Sequence, residues 1–427
     1  MPNLRSTPPE TSVLIRTFNE ERHLPGLLEG IDRQKYRDFE IVVVDSGSVD
    51  RTREIAARRA DKLKRINSRD FTYGYSLNVG CEAASGRFVV IVSAHMLTQD
   101  DQWLGAMVAP LREDGVAMTY GRQIGLELSN FGETQDLRRT FGSRRLVLKP
   151  PNFFANNANS AIVRGLWEQH SFDEALPGLE DIEWAKHWME RGYTVVYEPA
   201  AALQHIHEET WPQIRRRYFR EAVAARHIGI TGRGRIIPEA LAQGRHLVGD
   251  LIRAFRQNLL REKAGEISLF RFNKLIGAVT GILDGTVLAD PDAREALFFD
   301  RTYKAVVVSA PGRVSLEDRE LGRIAPGDVL IRVAYQRVAE TDIRVSTDSG
   351  STVDGASPSY PITPGGDFSG WVVKTGVNVE NVHEGDAVIA ESLVSCGRCW
   401  SCSQGNRSVC EAREEIGFRG RDGGCAE

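Results

Sequence analysis

The sequence predicts an α/β domain on a mostly parallel sheet, a helical extension, and then a mostly-β domain. Three observations lead there. Up to about residue 92, short apolar runs alternate with longer amphipathic stretches, as in strands joined by crossover helices. From Tyr303 the texture changes to short Val-rich runs broken by Gly and Pro turns. Five of the six cysteines lie between Cys396 and Cys425, which marks the last part as a separate module.

The elements follow in order. "SVLIRTF" is a strand, and "NEERHLPGLLEGIDRQ" is a helix with Leu24, Leu27, Leu28 and Ile31 on its apolar face. "FEIVVVD" is a buried strand followed by the helix "DRTREIAARRA", in which Asp50 stands ready as a cap. A short strand at "DKLKRIN", a helix at "GYSLNVGCEAAS" and the buried strand "RFVVIVS" complete the first half. Residues 125 to 155 have weak periodicity and read as a variable loop region. Helix returns at "LEDIEWAKHWMERG" and strand at "TVVYEPA". Residues 208 to 288 read as helical and basic, and the four regions divide at 11–235, 236–288, 289–302 (a linker) and 303–427.

Composition bounds the possibilities. A chain of 427 residues exceeds one ordinary core. A net charge of −4 gives no global reason to expect nucleic acid. No apolar run reaches roughly 18 residues, so no spanning helix is expected. The polar, Pro-rich start lacks the apolar stretch of a secretory signal, so a cytoplasmic location is expected, with peripheral contact at the inner membrane face as its extension. The basic stretch 246–263 carries Leu247, Leu251, Phe255 and Leu259 at four-residue spacing, with Arg245, Arg253, Arg256 and Arg261 elsewhere around the helix. It reads either as a helix packed on its own domain with a solvated basic face, or as a contact with anionic lipid or a lipid-linked acceptor.

In doubly wound sheets, ligands sit beyond the carboxyl ends of strands. Those ends carry Thr17, Asn19 and Glu20, then Asp45, then Ser93 and His95. The amides and carboxylates suit a base or a ribose. Downstream, Glu180 and Asp181 open a helix, the position that suits general-base work and equally a favourable charge at a helix start.

These motifs together resemble family 2 glycosyltransferases of the GT-A fold. "SVLIRTFNEE", "IVVVDSGSVDRT", "LNVGCEAASGRFVVIVSAH" and "GLEDIEWAKHWMERGY" match in order over about residues 11 to 230. The resemblance implies sugar transfer with inversion from a nucleotide-sugar donor to a glycan or lipid-linked acceptor, as in polysaccharide or glycoconjugate synthesis. Asp181 would be the base, with Glu180 as its substitute. Thr17, Asn19, Glu20, Asp45, Asn78, Ser93, His95 and Arg122 would face the donor, and Asn156, Asn157 and Trp184 the sugar or acceptor. The family's Asp-any-Asp metal motif reads Ser93-Ala94-His95 here, so one imidazole replaces the carboxylate pair. Nitrogen favours Mn²⁺ over Mg²⁺. His205 and His207 are further candidate ligands, of which only one can face the site if the segment is extended.

In the second module, Cys396, Cys399, Cys402 and Cys410 form a C-x2-C-x2-C-x7-C array that fits a closed, structural Zn²⁺ site. With "KAVVVSAPG", "GDVLIRVAY", "ETDIRV" and "PGGDFSGWVVKTGVNVENVHEGDAVI", the module resembles the GroES-like domain of zinc-containing alcohol dehydrogenases. The positions of that family's catalytic-zinc ligands hold Ala339 and Gly366. The sequence in hand also stops before any dinucleotide fingerprint, so no NAD(P) is expected. The expectation is a glycosyltransferase with a catalytically silent zinc module. An oxidoreductase component needing a separate cofactor domain, and a non-catalytic nucleotide-sugar binder, are the alternatives.

Overall fold

The computed structural model describes residues 7–67, 70–126, 129–206, 209–284, 287–288, 297–298, 302–321, 324–347, 358–418 and 420–426. They form two compact units, Met1–Phe298 and Phe299–Glu427.

The first unit begins β1 (Thr11–Thr17), α1 (Leu24–Asp32), β2 (Phe39–Asp45), α2 (Thr52–Arg59), β3 (Lys62–Arg65), α3 (Tyr73–Ala83) and β4 (Phe88–Ser93). β3, β2, β1 and β4 lie side by side in that order, all parallel. β4 is buried on both faces, which explains its unbroken apolar run. Phe88, Val90 and Val92 enter one core with Ile15, Ile31 and Trp103. Val89 and Ile91 enter the other with Leu14, Leu77 and Trp184.

The sheet continues through β5 (Met96–Thr98), α4 (Trp103–Val108), β6 (Val116–Gly125), α5 (Phe131–Thr140), β7 (Leu146–Leu148), β8 (Asn159–Val163), α6 (Arg164–Trp167), α7 (Glu180–Met189) and β9 (Thr194–His205). Here β8 runs antiparallel between β4 and β6, while β6 and β9 are parallel. β5 pairs antiparallel with the far end of β9, which brings the residues after β4 against His205. The stretch 125–155, which reads as loop, contains α5 and β7. α5 owes its place to long-range partners rather than to its own periodicity.

Those partners come from α8 (Trp211–His227), α9 (Ile236–Arg256) and α10 (Leu260–Leu283). Gly277 and Gly281 let α10 approach the backbone of α8, since a Cβ at either would come within 2.4 Å of a carbonyl oxygen there. Arg271 of α10 is only 3% exposed and binds four neighbours at once, Gln243 of α9 among them at 3.2 Å. It donates to Asp250 of α9 at 2.6 and 2.9 Å, to Asp136 of α5 at 2.8 and 2.9 Å, and to the Gly132 carbonyl at 3.0 Å. Burial alone would raise the Asp136 carboxyl, but Lys274 and Arg271 outweigh it and hold it at about 2.

The second unit has a hairpin, β10 (Thr302–Ala310) with β11 (Arg313–Glu320), and a three-stranded antiparallel sheet, β12 (Val329–Gln336), β13 (Phe368–Thr375) and β14 (Ala387–Ile389). Its small core is Val308, Val345, Ile362 and Phe418. This is the β-rich class that the Val-rich runs indicate.

Removing one member of a buried ionic cluster strands the others. Arg271→Met is expected to cost about 3–5 kcal/mol, read as a lower denaturant midpoint of the full chain by tryptophan fluorescence.

Candidate active site

His95 lies between β4 and β5, two residues past the end of β4, and His205 ends β9. His95 Nδ1 lies 2.8 Å from Glu20 Oε1, and its Nε2 lies 3.2 Å from His205 Nε2. The rings are parallel within 9°. His205 Nδ1 lies 2.8 Å from Gln123 Oε1, and Gln123 Nε2 donates to Asn156 Oδ1 at 2.8 Å. Asn156 Oδ1 also accepts from the Ala158 amide, which fixes the orientation of each amide along the line.

The proton positions follow. A carboxylate accepts only, so His95 Nδ1 carries a proton toward Glu20. Gln123 offers its carbonyl oxygen, so His205 Nδ1 carries a proton toward it. In neutral rings the two Nε2 atoms then present lone pairs to each other. Such a pair needs a shared proton or a cation, and the outer partners orient imidazoles as in metal sites. Two nitrogens on one ion at about 2.1 Å each can be at most about 4.2 Å apart, and these satisfy that limit. Glu20 is stabilised as an anion. Burial would raise it, but His95 and His23 hold it below the ordinary range. Of the two downstream histidines, His205 is in the site; His207 lies outside the described residues.

The acidic pair opens α7. Leu179 precedes it in a left-handed conformation, φ 59°, and no side chain caps the helix. Asp181 accepts from the Asn157 amide and from its own helix at Ile182, both at 2.8 Å. Burial first, and the neighbouring Glu180 second, push its carboxyl well above the usual range, against the pull of those amides and of Arg16.

Several predicted contacts turn out to have other work. Asn19 ties β1 to the next loop, accepting from Val49 N and placing its own amide on Ser48. Asp45 is fully buried, and its carboxylate accepts from the amides of Gly47 and Ser48. Asn78 latches the segment before α7, bonding Phe172, Glu174 and Trp167. Trp184 is fully buried, donates to the His170 carbonyl and packs on Phe172, so it is core and not a sugar platform. Asn157 is buried and holds both acids, donating to Glu180 at 3.4 Å as well as to Asp181, so it positions them instead of meeting a sugar. Asn156 commits its Oδ1 to Gln123 and Ala158. Arg122 lies where the β6–β9 register shifts, and its charge acts on Tyr197. Ser93 and Thr17 are buried at their strand ends, and Thr17 Oγ1 has no bonded partner among the described residues.

Tyr73, Gln123 and Arg220 carry no site signal in the sequence, and Arg16 stands at the end of β1 without an assigned role. Arg16 and Arg220 approach the Tyr73 ring at 5.4 and 5.3 Å, so two guanidinium groups gather near the end of β1. Only the fold brings them together. A third group, His170, Glu183 and His187, has ligand atoms within 4.8 Å of one another, but the two rings lie face to face at 3.5 Å and their lone pairs run side by side.

In the second unit, the four cysteine sulfurs lie within 4.8 Å of one another, with Cys399 and Cys410 at 3.8 Å. A tetrahedron with Zn–S bonds of about 2.3 Å has edges of about 3.8 Å. Backbone amides hold the Cys396 and Cys399 thiols below their ordinary range, while burial pushes Cys402 up to about 11. Ala339 and Gly366 line a cavity of about 60 Å³ with Asp342 and Asp367. Asp342 is occupied by the Ala339 and Gly365 amides, and Asp367 pairs with Arg337 at 3.5 Å.

Residues 12–169 match the glycosyl transferase family 2 model. The first unit carries a family 2 domain. Residues 325–427 match the alcohol dehydrogenase GroES-like domain. An L-threonine 3-dehydrogenase of Streptomyces avermitilis is 38% identical over 104 residues, 24% of this chain and 30% of that protein. This chain therefore spans under a third of that relative's length. A mannosyltransferase from Pyrobaculum calidifontis, solved with GDP-Man and Mn²⁺, is 18% identical with a TM-score of 0.40, covering 69% of this chain and 86% of its own. A thermostable alcohol dehydrogenase from Pyrobaculum aerophilum is 34% identical with a TM-score of 0.27, covering 30% and 37%. The family 2 match ends at residue 169, before the acidic pair.

A carboxyl raised in the folded state binds its proton more tightly there than in the unfolded chain. Its ionisation therefore costs stability as pH rises from the ordinary Asp range toward the raised value. Thermal stability of the wild type should fall over that window more steeply than that of Asp181→Asn. Equal slopes in a pH series of melting temperatures would show that Asp181 titrates normally.

Proposed function

We propose that the first unit transfers a sugar, with inversion, from a nucleotide-sugar donor to the hydroxyl of a glycan or lipid-linked acceptor. The observation that carries this reading is the line of hydrogen bonds from Glu20 through His95, His205 and Gln123 to Asn156, next to the Asn157 that holds Asp181. It spans the two ends that such a reaction needs.

Asp181, once ionised, takes the proton of the acceptor hydroxyl. The acceptor oxygen forms its bond to the anomeric carbon as the bond to the diphosphate breaks. The diphosphate leaves with the electron pair. Its growing charge meets Arg16 and Arg220, fixed positive groups that need no reorganisation at that moment. His95 and His205 would hold a divalent cation, Mn²⁺ rather than Mg²⁺, which neutralises charge on the same diphosphate. A raised carboxyl makes a stronger base when ionised, and burial keeps water from competing for it.

The second unit is read as a zinc-stabilised, catalytically silent module. Ala339 and Gly366 offer no side-chain ligand, and Asp367 is drawn into a surface ion pair. This weighs against the oxidoreductase reading. The twin arginines and the held acidic pair favour chemistry over mere donor binding.

Asp181→Asn should lower turnover by about a hundredfold to ten-thousandfold while nucleotide binding, followed by thermal shift, stays. Full turnover in Asp181→Asn with loss in Glu180→Gln would move the base to Glu180. Mn²⁺ should stimulate transfer, and His95→Ala or His205→Ala should abolish that stimulation; full activity in excess chelator, unchanged by either variant, excludes the metal assignment. The purified chain should hold one zinc, and its removal should destabilise residues 303–427. Metal analysis with chelator-dependent unfolding checks this, and NAD(P)-dependent alcohol turnover by this chain would refute a silent module.

A further inference from the structure

Helix α9 is built inside out. Its buried residues include Gln243 and Asp250, both bonded to Arg271 of α10. Five of its eight large apolar residues face outward, while Ile236, Leu247 and Leu251 are half-buried. Ile237, Leu241, Val248, Ile252 and Phe255 are 48–72% exposed. At 3.6 residues per turn these five fall within an arc of roughly 60° that runs the length of the helix. The buried polar pair lies on the far side. An ordinary surface helix does the reverse.

The arc has a charged flank. Arg245, Arg256 and Arg253 follow it around the helix, and among the described residues none of the three pairs with a carboxylate. Gly249, Ile252, Arg253, Arg256 and Gln257 line a surface depression of about 290 Å³, so two guanidinium groups border a niche at the edge of the apolar arc. No helix among the described residues is long and apolar enough to cross a membrane.

We propose that α9 docks this protein on an anionic lipid bilayer, lying in the plane of the interface. The apolar arc would enter the acyl boundary, and Arg253 and Arg256 would take a lipid phosphate in the niche. A ridge of large apolar side chains beside unpaired arginines is complementary to such a surface: the ridge gains from burial and the arginines from the negative headgroups. A soluble protein partner or a second copy would cover the apolar arc, but neither calls for a row of unneutralised arginines along it. The proposal deepens the lipid-linked-acceptor reading, yet its test needs neither donor nor acceptor, so each can fail alone.

The full chain should sediment with vesicles containing phosphatidylglycerol, bind weakly to phosphatidylcholine alone, and release as salt rises. Arg253→Gln with Arg256→Gln should weaken partitioning about thirtyfold, from two arginines at about 1 kcal/mol each. Ile252→Ser with Phe255→Ser should weaken it at least about tenfold. These side chains are exposed, and unchanged circular dichroism of each variant guards against misfolding. Absence of binding to the anionic vesicles, or binding indifferent to both double variants, would overturn the proposal. So would concentration-dependent dimers that disappear in Ile252→Ser with Phe255→Ser while vesicles are ignored.

Discussion

Two imidazole nitrogens face each other across 3.2 Å, and Glu20 and Gln123 each draw the proton of a neutral ring to its other nitrogen. This constraint organises the first unit. Glu20 and Gln123 commit the opposite nitrogens, and Asn156 commits Gln123 in turn. The histidines come from residues 110 positions apart, so the contact exists only because β5 folds back on the end of β9. The electrostatic consequence is a pair of ring nitrogens that favours positive charge, linked through Asn156 and Asn157 to an acid whose carboxyl burial raises. Opposite preferences held side by side are what separating a proton from a leaving anion requires.

Much of this was legible in the sequence, for identifiable reasons. β1, β2 and β4 announce themselves because strands buried on both faces carry unbroken apolar runs, Val13 to Ile15, Ile41 to Val44 and Phe88 to Val92. The cysteine array is legible because its ligands are close in sequence as well as in space. His95 and Asp181 stand out in the sequence because they follow recognisable strand and turn patterns. Side chains whose role depends on a partner far along the chain were not legible. Asn157 and Asn156 look alike on the page, yet one clamps the acids and the other ends the histidine line. Trp184 looks like a sugar-stacking ring until its indole is found inside the second core. Arg16 reads as an ordinary strand residue, and Arg220 as one of many basic residues in a helix; their shared approach to Tyr73 depends on where α8 packs. α5 escaped because its position is fixed by an arginine 135 residues away.

The two units use different means of holding themselves together. The first has two large apolar cores and a buried ionic knot. The second has a core of four fully or nearly buried side chains, and its cysteine lobe gathers four sulfurs at ligand spacing. A unit with so little apolar burial depends more on cross-links of this kind.

Leu179 stands in a conformation that a leucine adopts only under constraint, one residue before the acidic pair. Backbone strain of that sort is worth on the order of 1–3 kcal/mol. Glycine at this position would relax it and loosen the approach to α7 at the same time. Position 179 is thus a place where selection for a hardier fold and selection for faster chemistry pull toward different residues. The leucine now there reads as a choice for a fixed aim over an easy backbone.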